Sequence, residues 1–139
     1  MITKEEIILL FLENPRKLVG EITKGNVLKS DEIRTLICDL GDPECAYYYA
    51  AVIDKKPTDE TRNVVHKDAY ESIWYALEIE RKPRDDTRTA CCTSSGYAYL
   101  YARDIDKKPT EETRNAAYKS SFNKKRYISW ENECLLKKT

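Results

Sequence analysis

Pro57, Pro83 and Pro109 lie 26 residues apart, and each sits in the same kind of segment. The first runs Asp54-Lys55-Lys56-Pro57-Thr58-Asp59-Glu60-Thr61-Arg62 and the second Glu80-Arg81-Lys82-Pro83-Arg84-Asp85-Asp86-Thr87-Arg88. The third is Asp106-Lys107-Lys108-Pro109-Thr110-Glu111-Glu112-Thr113-Arg114. Tyr49-Ala50, Tyr75-Ala76 and Tyr101-Ala102 keep the spacing, and Tyr127-Ile128 carries it into a partial last copy. Agreement over this many positions marks tandem structural copies, each too small to bury an apolar face without its neighbours. A degenerate earlier copy is visible as well: Ser30-Asp31-Glu32-Ile33-Arg34 resembles Thr58-Asp59-Glu60-Thr61-Arg62 at an offset of 28, and Asn14-Pro15 precedes Asp42-Pro43 by the same offset. The expected organisation is one domain over 1–139. It comprises an N-terminal cap helix at 1–13, a degenerate repeat at 14–41, clear repeats at 42–67, 68–93 and 94–119, and a C-terminal half-repeat at 120–139.

Each period holds either one long helix or two shorter ones, and the capping residues favour two. Asp42, Asp68, Ser94 and Ser120 recur at the period and are all good N-cap types. Asp42 is followed by Pro43, a favoured first helical residue. A second break is expected at the Lys-Pro or Arg-Lys-Pro step, because the residue before proline avoids helical angles. The acidic pairs Asp59-Glu60, Asp85-Asp86 and Glu111-Glu112 then fall in the first turn of the following helix, where they suit its dipole. The spacing predicts first helices over 43–54, 69–80 and 95–106, and second helices over 58–67, 84–93 and 110–119. The first helices bury Ala46, Tyr49, Ala50 and Ile53, then Ser72, Tyr75, Ala76 and Ile79, then Ala98, Tyr101, Ala102 and Ile105. The second helices offer Thr61, Val64 and Val65, then Thr87, Ala90 and Cys91, then Thr113, Ala116 and Ala117. Upstream, Thr3 and Glu6 suggest a capped helix that Asn14-Pro15 ends, and Ile33, Leu36, Ile37 and Leu40 form a further stripe. The predicted fold is all-α: a short α-solenoid of helical hairpins in a right-handed superhelical stack.

Composition narrows the function classes. Lys+Arg and Asp+Glu balance at 24 each, which weighs against a dedicated nucleic-acid binder. No apolar run approaches the ~18 residues a membrane span requires. The apolar stretch at 7–12 is too short and too close to glutamates for a secretory signal. The five cysteines form no CxxC pair, so reduced thiols and a cytoplasmic location are expected.

Asp42-Pro43-Glu44-Cys45-Ala46-Tyr47-Tyr48-Tyr49-Ala50 and Tyr97-Ala98-Tyr99-Leu100-Tyr101-Ala102 resemble the tandem "DPEYAYxYA" repeats of bacteriophage and bacterial proteins. The likeness covers roughly residues 42–130. It departs from that pattern in the Lys-Lys-Pro turn and at Ser72-Ile73-Trp74. It implies a helical-hairpin repeat broadly similar to tetratricopeptide and HEAT modules, encoded by a phage, acting in the host cytoplasm. No catalytic residues come with it.

The candidate chemistry is that of binding. Lys55, Lys56, Arg81, Lys82, Lys107 and Lys108 occupy equivalent turns and form a basic edge that meets phosphates or an acidic partner, or is neutralised by the acidic pairs beside it. Tyr47, Tyr48, Trp74 and Tyr99 point away from the Tyr49 stripe and are the best candidates for a partner-binding aromatic surface. Arg62, Arg88 and Arg114 recur with Asp54, Glu80 and Asp106, which suggests ion pairs between helices. In the tail, Lys124-Lys125-Arg126 and Lys137-Lys138 interleave with Tyr127 and Trp130, a pattern that suits base stacking or docking on a partner. His66 is the sole histidine and no triad surrounds it, so no enzyme activity, metal or cofactor is expected. The expected function is a non-enzymatic protein-interaction module, on the phage likeness one that binds and inhibits a host protein or defence complex. The alternative is nucleic-acid binding through the basic turns and tail, and self-association of the end copies is a further possibility.

Overall fold

The computed structural model describes residues 3–25 and 31–137; Ser30 and Lys138 lie outside them. Among the described residues there are ten α-helices and no strand. None of these helices is long and apolar enough to cross a membrane. The chain divides into two compact units between Lys67 and Asp68.

The first unit contains α1 (Lys4–Glu13), α2 (Pro15–Thr23), α3 (Asp31–Asp39), α4 (Pro43–Tyr48) and α5 (Asp59–Val65). The second contains α6 (Ala69–Tyr75), α7 (Asp85–Cys91), α8 (Ser95–Tyr101), α9 (Glu111–Ala117) and α10 (Ser121–Lys137). Helices α4, α6 and α8 each run on, without a break, into a π-helical stretch: Tyr49–Asp54, Ala76–Glu80 and Ala102–Asp106. The chain breaks after residues 54, 80 and 106, so the single long helix does not form. Lys55, Arg81 and Lys107 end these helices in the left-handed region, at φ 56°, 57° and 57°. A side chain there costs about 1 kcal/mol or more. The proline two residues on prevents the helix from continuing.

The caps explain the helix starts. Asp42 Oδ1 accepts from the Cys45 amide at 3.1 Å, Asp68 Oδ1 from Tyr70 at 2.8 Å, Ser94 Oγ from Tyr97 at 3.4 Å and Ser120 Oγ from Asn123 at 3.4 Å. Thr58 and Thr110 cap α5 and α9 by accepting from the Thr61 and Thr113 amides, both at 3.2 Å. Arg84 stands at the matching position of α7 and gives no side-chain cap. Each cap contributes about 1 kcal/mol, which matters for helices of six or seven residues that are marginal alone.

The core of the first unit joins Ile7, Leu18, Ile22, Ile37, Cys45 and Tyr49. In the second, Ile73, Ala76, Cys91, Tyr101 and Ile105 pack together, and Tyr99, Ala102, Ala117 and Tyr127 form a second cluster. Most of the predicted stripe is buried, Tyr49, Tyr75 and Tyr101 completely. Ile53 and Ile79 are only half-buried and Asp54 and Glu80 are buried in their stead, while in the third copy Ile105 and Asp106 are both buried. The π-helical stretches cause this exchange. At about 100° per residue an α-helix carrying Ala46 inward would put Ile53 on the stripe and Asp54 about 80° off it. The i→i+5 winding turns less per residue, so Asp54 comes round to the interior and Ile53 swings out.

Two of these buried acids, Asp54 and Asp106, are met by arginine from the preceding helix. Arg34 donates to Asp54 through Nε at 2.7 Å and Nη2 at 2.8 Å, and Arg88 donates to Asp106 at 2.8 and 2.7 Å. Neither aspartate side chain retains any solvent exposure. Each arginine also reaches the aspartate at the start of its own helix, Asp31 at 3.0 Å and Asp85 at 2.6 Å. The carboxylate hydrogen bond is the chief reason both guanidiniums are held above the usual arginine range.

Arg114 repeats the device with Glu131, at 2.7 and 3.2 Å. Its partner lies 17 residues on, whereas Arg88 reaches 18 residues on. The tyrosines explain the difference. The Tyr101 hydroxyl accepts from the Arg84 amide at 2.9 Å and donates to the Arg84 carbonyl at 3.1 Å, a span of 17 residues. The Tyr127 hydroxyl accepts from the Thr110 amide at 3.2 Å and donates to its carbonyl at 3.3 Å, again 17 residues apart. From this shared anchor the acid is five residues on in π-helical Tyr101 to Asp106, and four in wholly α-helical Tyr127 to Glu131. The π-helical stretch is thus a one-residue insertion that leaves the acid one turn beyond the tyrosine.

Four outcomes follow. Arg88→Ala leaves Asp106 buried without its bidentate partner, and chemical denaturation is expected to show a loss of about 3 kcal/mol. Arg88→Met with Asp106→Leu should recover most of that loss, because a matched apolar pair replaces the ions. Deleting Val52, an exposed residue within Tyr49–Asp54, should convert that stretch to an α-turn and cost under ~1 kcal/mol. Deleting Ile128 from α10 puts Glu131 and Trp130 out of phase and should cost roughly 2–3 kcal/mol. Urea midpoints of the two deletions measure the contrast, and equal losses would refute the insertion account.

Candidate interaction surfaces

Among the described residues no group of three or more His, Cys, Asp and Glu is placed to hold a metal ion. Burial pushes the Cys38, Cys45 and Cys92 thiols up to about 12, and Cys91 higher still. These are neutral thiols at physiological pH, the opposite of a poised nucleophile. Cys92 lines a shallow depression of about 300 Å³ with Thr89, Glu112, Asn115 and Lys119. His66 is half-buried at the C-terminal end of α5.

The turn cations are all outside. Lys55, Lys56, Arg81, Lys82, Lys107 and Lys108 are exposed, because the left-handed residue and the pre-proline residue both project from a helix end. Arg81 Nε donates to the Glu78 carbonyl at 3.2 Å, closing its own helix end.

The aromatic candidates part company. Tyr47 and Tyr48 are half-buried and meet edge-on, with ring centroids 5.5 Å apart. Trp74 is 39% exposed. Tyr99 is only 7% exposed and turns inward, not onto an outer strip. Position matters here: Tyr99 is the counterpart of buried Ile73 one period earlier, whereas Trp74 is the counterpart of half-exposed Leu100.

Two surfaces of the second unit result. On the first, Tyr70, 50% exposed, packs edge-on against Trp74 at 6.4 Å and against Tyr97 at 6.0 Å. Sequence reasoning singled out Trp74 and missed Tyr70 and Tyr97. The signal was present in the i, i+4 spacing of Tyr70 and Trp74, which makes them neighbours on a helix surface. The matching pairs in the other copies are Glu44 and Tyr48, and Gly96 and Leu100, so the aromatic pair is peculiar to this copy.

The second surface is a groove of about 490 Å³ between the end of α8 and α10, lined by Tyr99, Arg103, Lys125, Arg126, Trp130 and Glu133, with Ser129 beside them. Tyr99 forms its floor, edge-on to Trp130 at 6.4 Å. The Arg126 guanidinium carbon lies 4.4 Å from the Tyr99 ring centroid and that of Arg103 lies 5.3 Å away. Arg103 is fixed by Asp104 at 2.8 and 3.0 Å, and this bond is the main cause of its raised pKa. Elsewhere on α10, Phe122, Leu135 and Leu136 are exposed apolar side chains.

No protein-family model matches the chain, and neither a curated protein nor a solved structure does.

The buried thiols and phenols set an alkaline limit. Their folded pKa values lie above the unfolded ones, so they stabilise the fold fully below the unfolded pKa. That contribution is lost as pH rises through the folded value. Stability to urea is therefore expected to fall steadily from about pH 9 to about pH 12, the interval over which the Cys45 thiol is neutral folded and ionised unfolded. Cys45→Ala should reduce the slope, and a slope unchanged by it would show that burial does not hold the thiol neutral.

Proposed function

We propose that the chain is a non-enzymatic protein-interaction module: a short α-solenoid of stacked helix pairs with a 26-residue period that holds a protein partner on outward side chains of its long helices. The observation that carries this reading is the Tyr70, Trp74 and Tyr97 cluster. Two of its members are 50% and 39% exposed, and the aromatic pair on α6 has no counterpart in the other copies. Aromatic side chains dominate binding energy where they meet a partner, and a contiguous exposed set is unusual on a surface that binds nothing. The repeat motif's likeness to "DPEYAYxYA" proteins suggests a phage-encoded factor acting in the host cytoplasm, where it binds and inhibits a host protein or defence complex. That step is analogy of repeat type alone.

The alternative is nucleic-acid binding, favoured by the six exposed turn cations and by Lys125, Arg126 and Trp130 sharing one groove. Balanced charge, and arginines committed to carboxylates in the helix pairs, argue for protein instead.

Immobilised wild-type protein and the Tyr70→Ala/Trp74→Ala variant, matched for helicity by circular dichroism, should be exposed to the same cell extract. At least one protein is expected on the wild type and absent from the variant. Identical profiles on the two would remove the aromatic cluster from the interface, and retention of nucleic acid alone, lost at moderate salt, would favour the alternative.

A further inference from the structure

We propose that the groove between the end of α8 and α10 binds an acidic peptide segment, one carboxylate seated against Arg126 and Lys125 and a neighbouring apolar side chain against Trp130. This deepens the interaction-module reading and rests on it.

Two of the groove's cations, Lys125 and Arg126, are not committed elsewhere. Arg84, Arg88, Arg103 and Arg114 of the same unit each hold a carboxylate. Arg126 has no ion pair among the described residues; its hydrogen bond is Nη1 to Asn123 Oδ1 at 3.3 Å. Lys125 likewise makes no ion pair among the described residues, and both line the groove. Arg126 is also held in place: its guanidinium carbon sits 4.4 Å from the Tyr99 ring centroid and 5.3 Å from that of Phe122. A stacked guanidinium presents its donors in a fixed fork, so less conformational freedom is lost when a carboxylate arrives.

The repeat positions point the same way. Lys125 and Arg126 stand one period after Tyr99 and Leu100. Where the preceding copy packs two apolar side chains, α10 therefore offers two cations above an aromatic floor. The volume of about 490 Å³ lies within the range of ordinary ligand sites and suits two or so side chains.

Glu133 on the rim and Asp104 beside Arg103 decide between a peptide and a single-stranded nucleic acid. Both place negative charge where a polyphosphate backbone would run. A stacking platform also needs an open ring face, and Tyr99 is 7% exposed with guanidiniums against it. A single carboxylate beside an apolar group brings less negative charge near Glu133 than a phosphate chain does.

The test is fluorescence anisotropy of a labelled, end-capped peptide, Gly-Glu-Leu-Gly-Gly, titrated with the intact wild-type chain. Saturable binding is expected, weakened about tenfold by Arg126→Gln and again by Lys125→Glu, and weakened on raising salt from about 50 to about 300 mM. Lys125 is an exposed side chain, so its replacement tests the groove even if Arg126→Gln disturbs packing. Binding that survives both substitutions, or no binding, overturns the proposal. So does tighter binding of an oligothymidylate of about ten nucleotides than of the peptide. The Tyr70→Ala/Trp74→Ala capture experiment reads a different surface, so a failed peptide titration leaves that result standing, and a failed capture with intact peptide binding would relocate the interface to the groove.

Discussion

The bidentate bond between a buried aspartate at the end of one helix and an arginine in the helix before it sets the register of these short elements. Burying a carboxylate costs several kcal/mol unless its oxygens are satisfied. Asp54 and Asp106 meet that requirement with two hydrogen bonds each, from Arg34 and Arg88. The same arginines hold Asp31 and Asp85 at the start of their own helices, so one side chain fixes the beginning of its helix and the end of the next. Tyr101 adds a second tie one turn away, because its hydroxyl satisfies both the amide and the carbonyl of Arg84. Directional bonds of this kind tolerate little sliding, which small apolar side chains such as Ala98 and Ala102 would otherwise allow.

Helix placement was legible because it depends on local chemistry. Aspartate and serine at the N-cap, proline after the C-cap and acids in the first turn act within a few residues, and each left a mark at the 26-residue period. The apolar stripe was legible through the tyrosine, after which its phase changes. No propensity rule announces an i→i+5 turn, and α-periodicity put Ile53 inside where Asp54 goes. A clue was available in retrospect: an invariant acid at positions 54, 80 and 106 preceding a cationic residue, with an arginine recurring in each following segment. Ion pairing between helices was anticipated from that recurrence, but Arg88 and Arg114 take the acids of the following helix, Asp106 and Glu131, and not Glu80 and Asp106, and the insertion that points the acid inward was not foreseen.

The surfaces were less legible, for a geometric reason. Exposure of the turn cations follows from backbone alone, since a left-handed residue ahead of a proline leaves the helix. Exposure of an aromatic ring depends on which helix lies opposite. Tyr47, Tyr48, Trp74 and Tyr99 look alike in a linear pattern. α10 packs on α8 and α9 and brings Tyr127 and Trp130 against Tyr99, whereas Trp74 is left with Tyr70 and Tyr97. The departures from the repeat carried the better signal. Tyr70, Lys125 and Arg126 differ in character from their counterparts in the clear repeats, and these positions line the two candidate surfaces.

Helix α10 shows how a repeat position changes its role when its environment changes. Ala98 and Ala102 are fully buried, and their small side chains let neighbouring backbones approach. Their counterparts in α10 are Lys124 and Ile128, both exposed, and α10 stays α-helical where α8 becomes π-helical. The helix keeps what faces α9, namely Tyr127 on Thr110 and Glu131 on Arg114. It drops what would let another helix pack closely on its far side. A lysine ammonium lies 5.1 Å from the Tyr118 ring centroid and an arginine lies over Tyr99; cations in such positions stay solvated while their stems cover apolar surface. The uncommitted positive charge of the groove comes from the adjacent Lys125 and Arg126, which stand where the preceding copy has Tyr99 and Leu100, so neighbouring positions of one helix lose close packing and gain charge together.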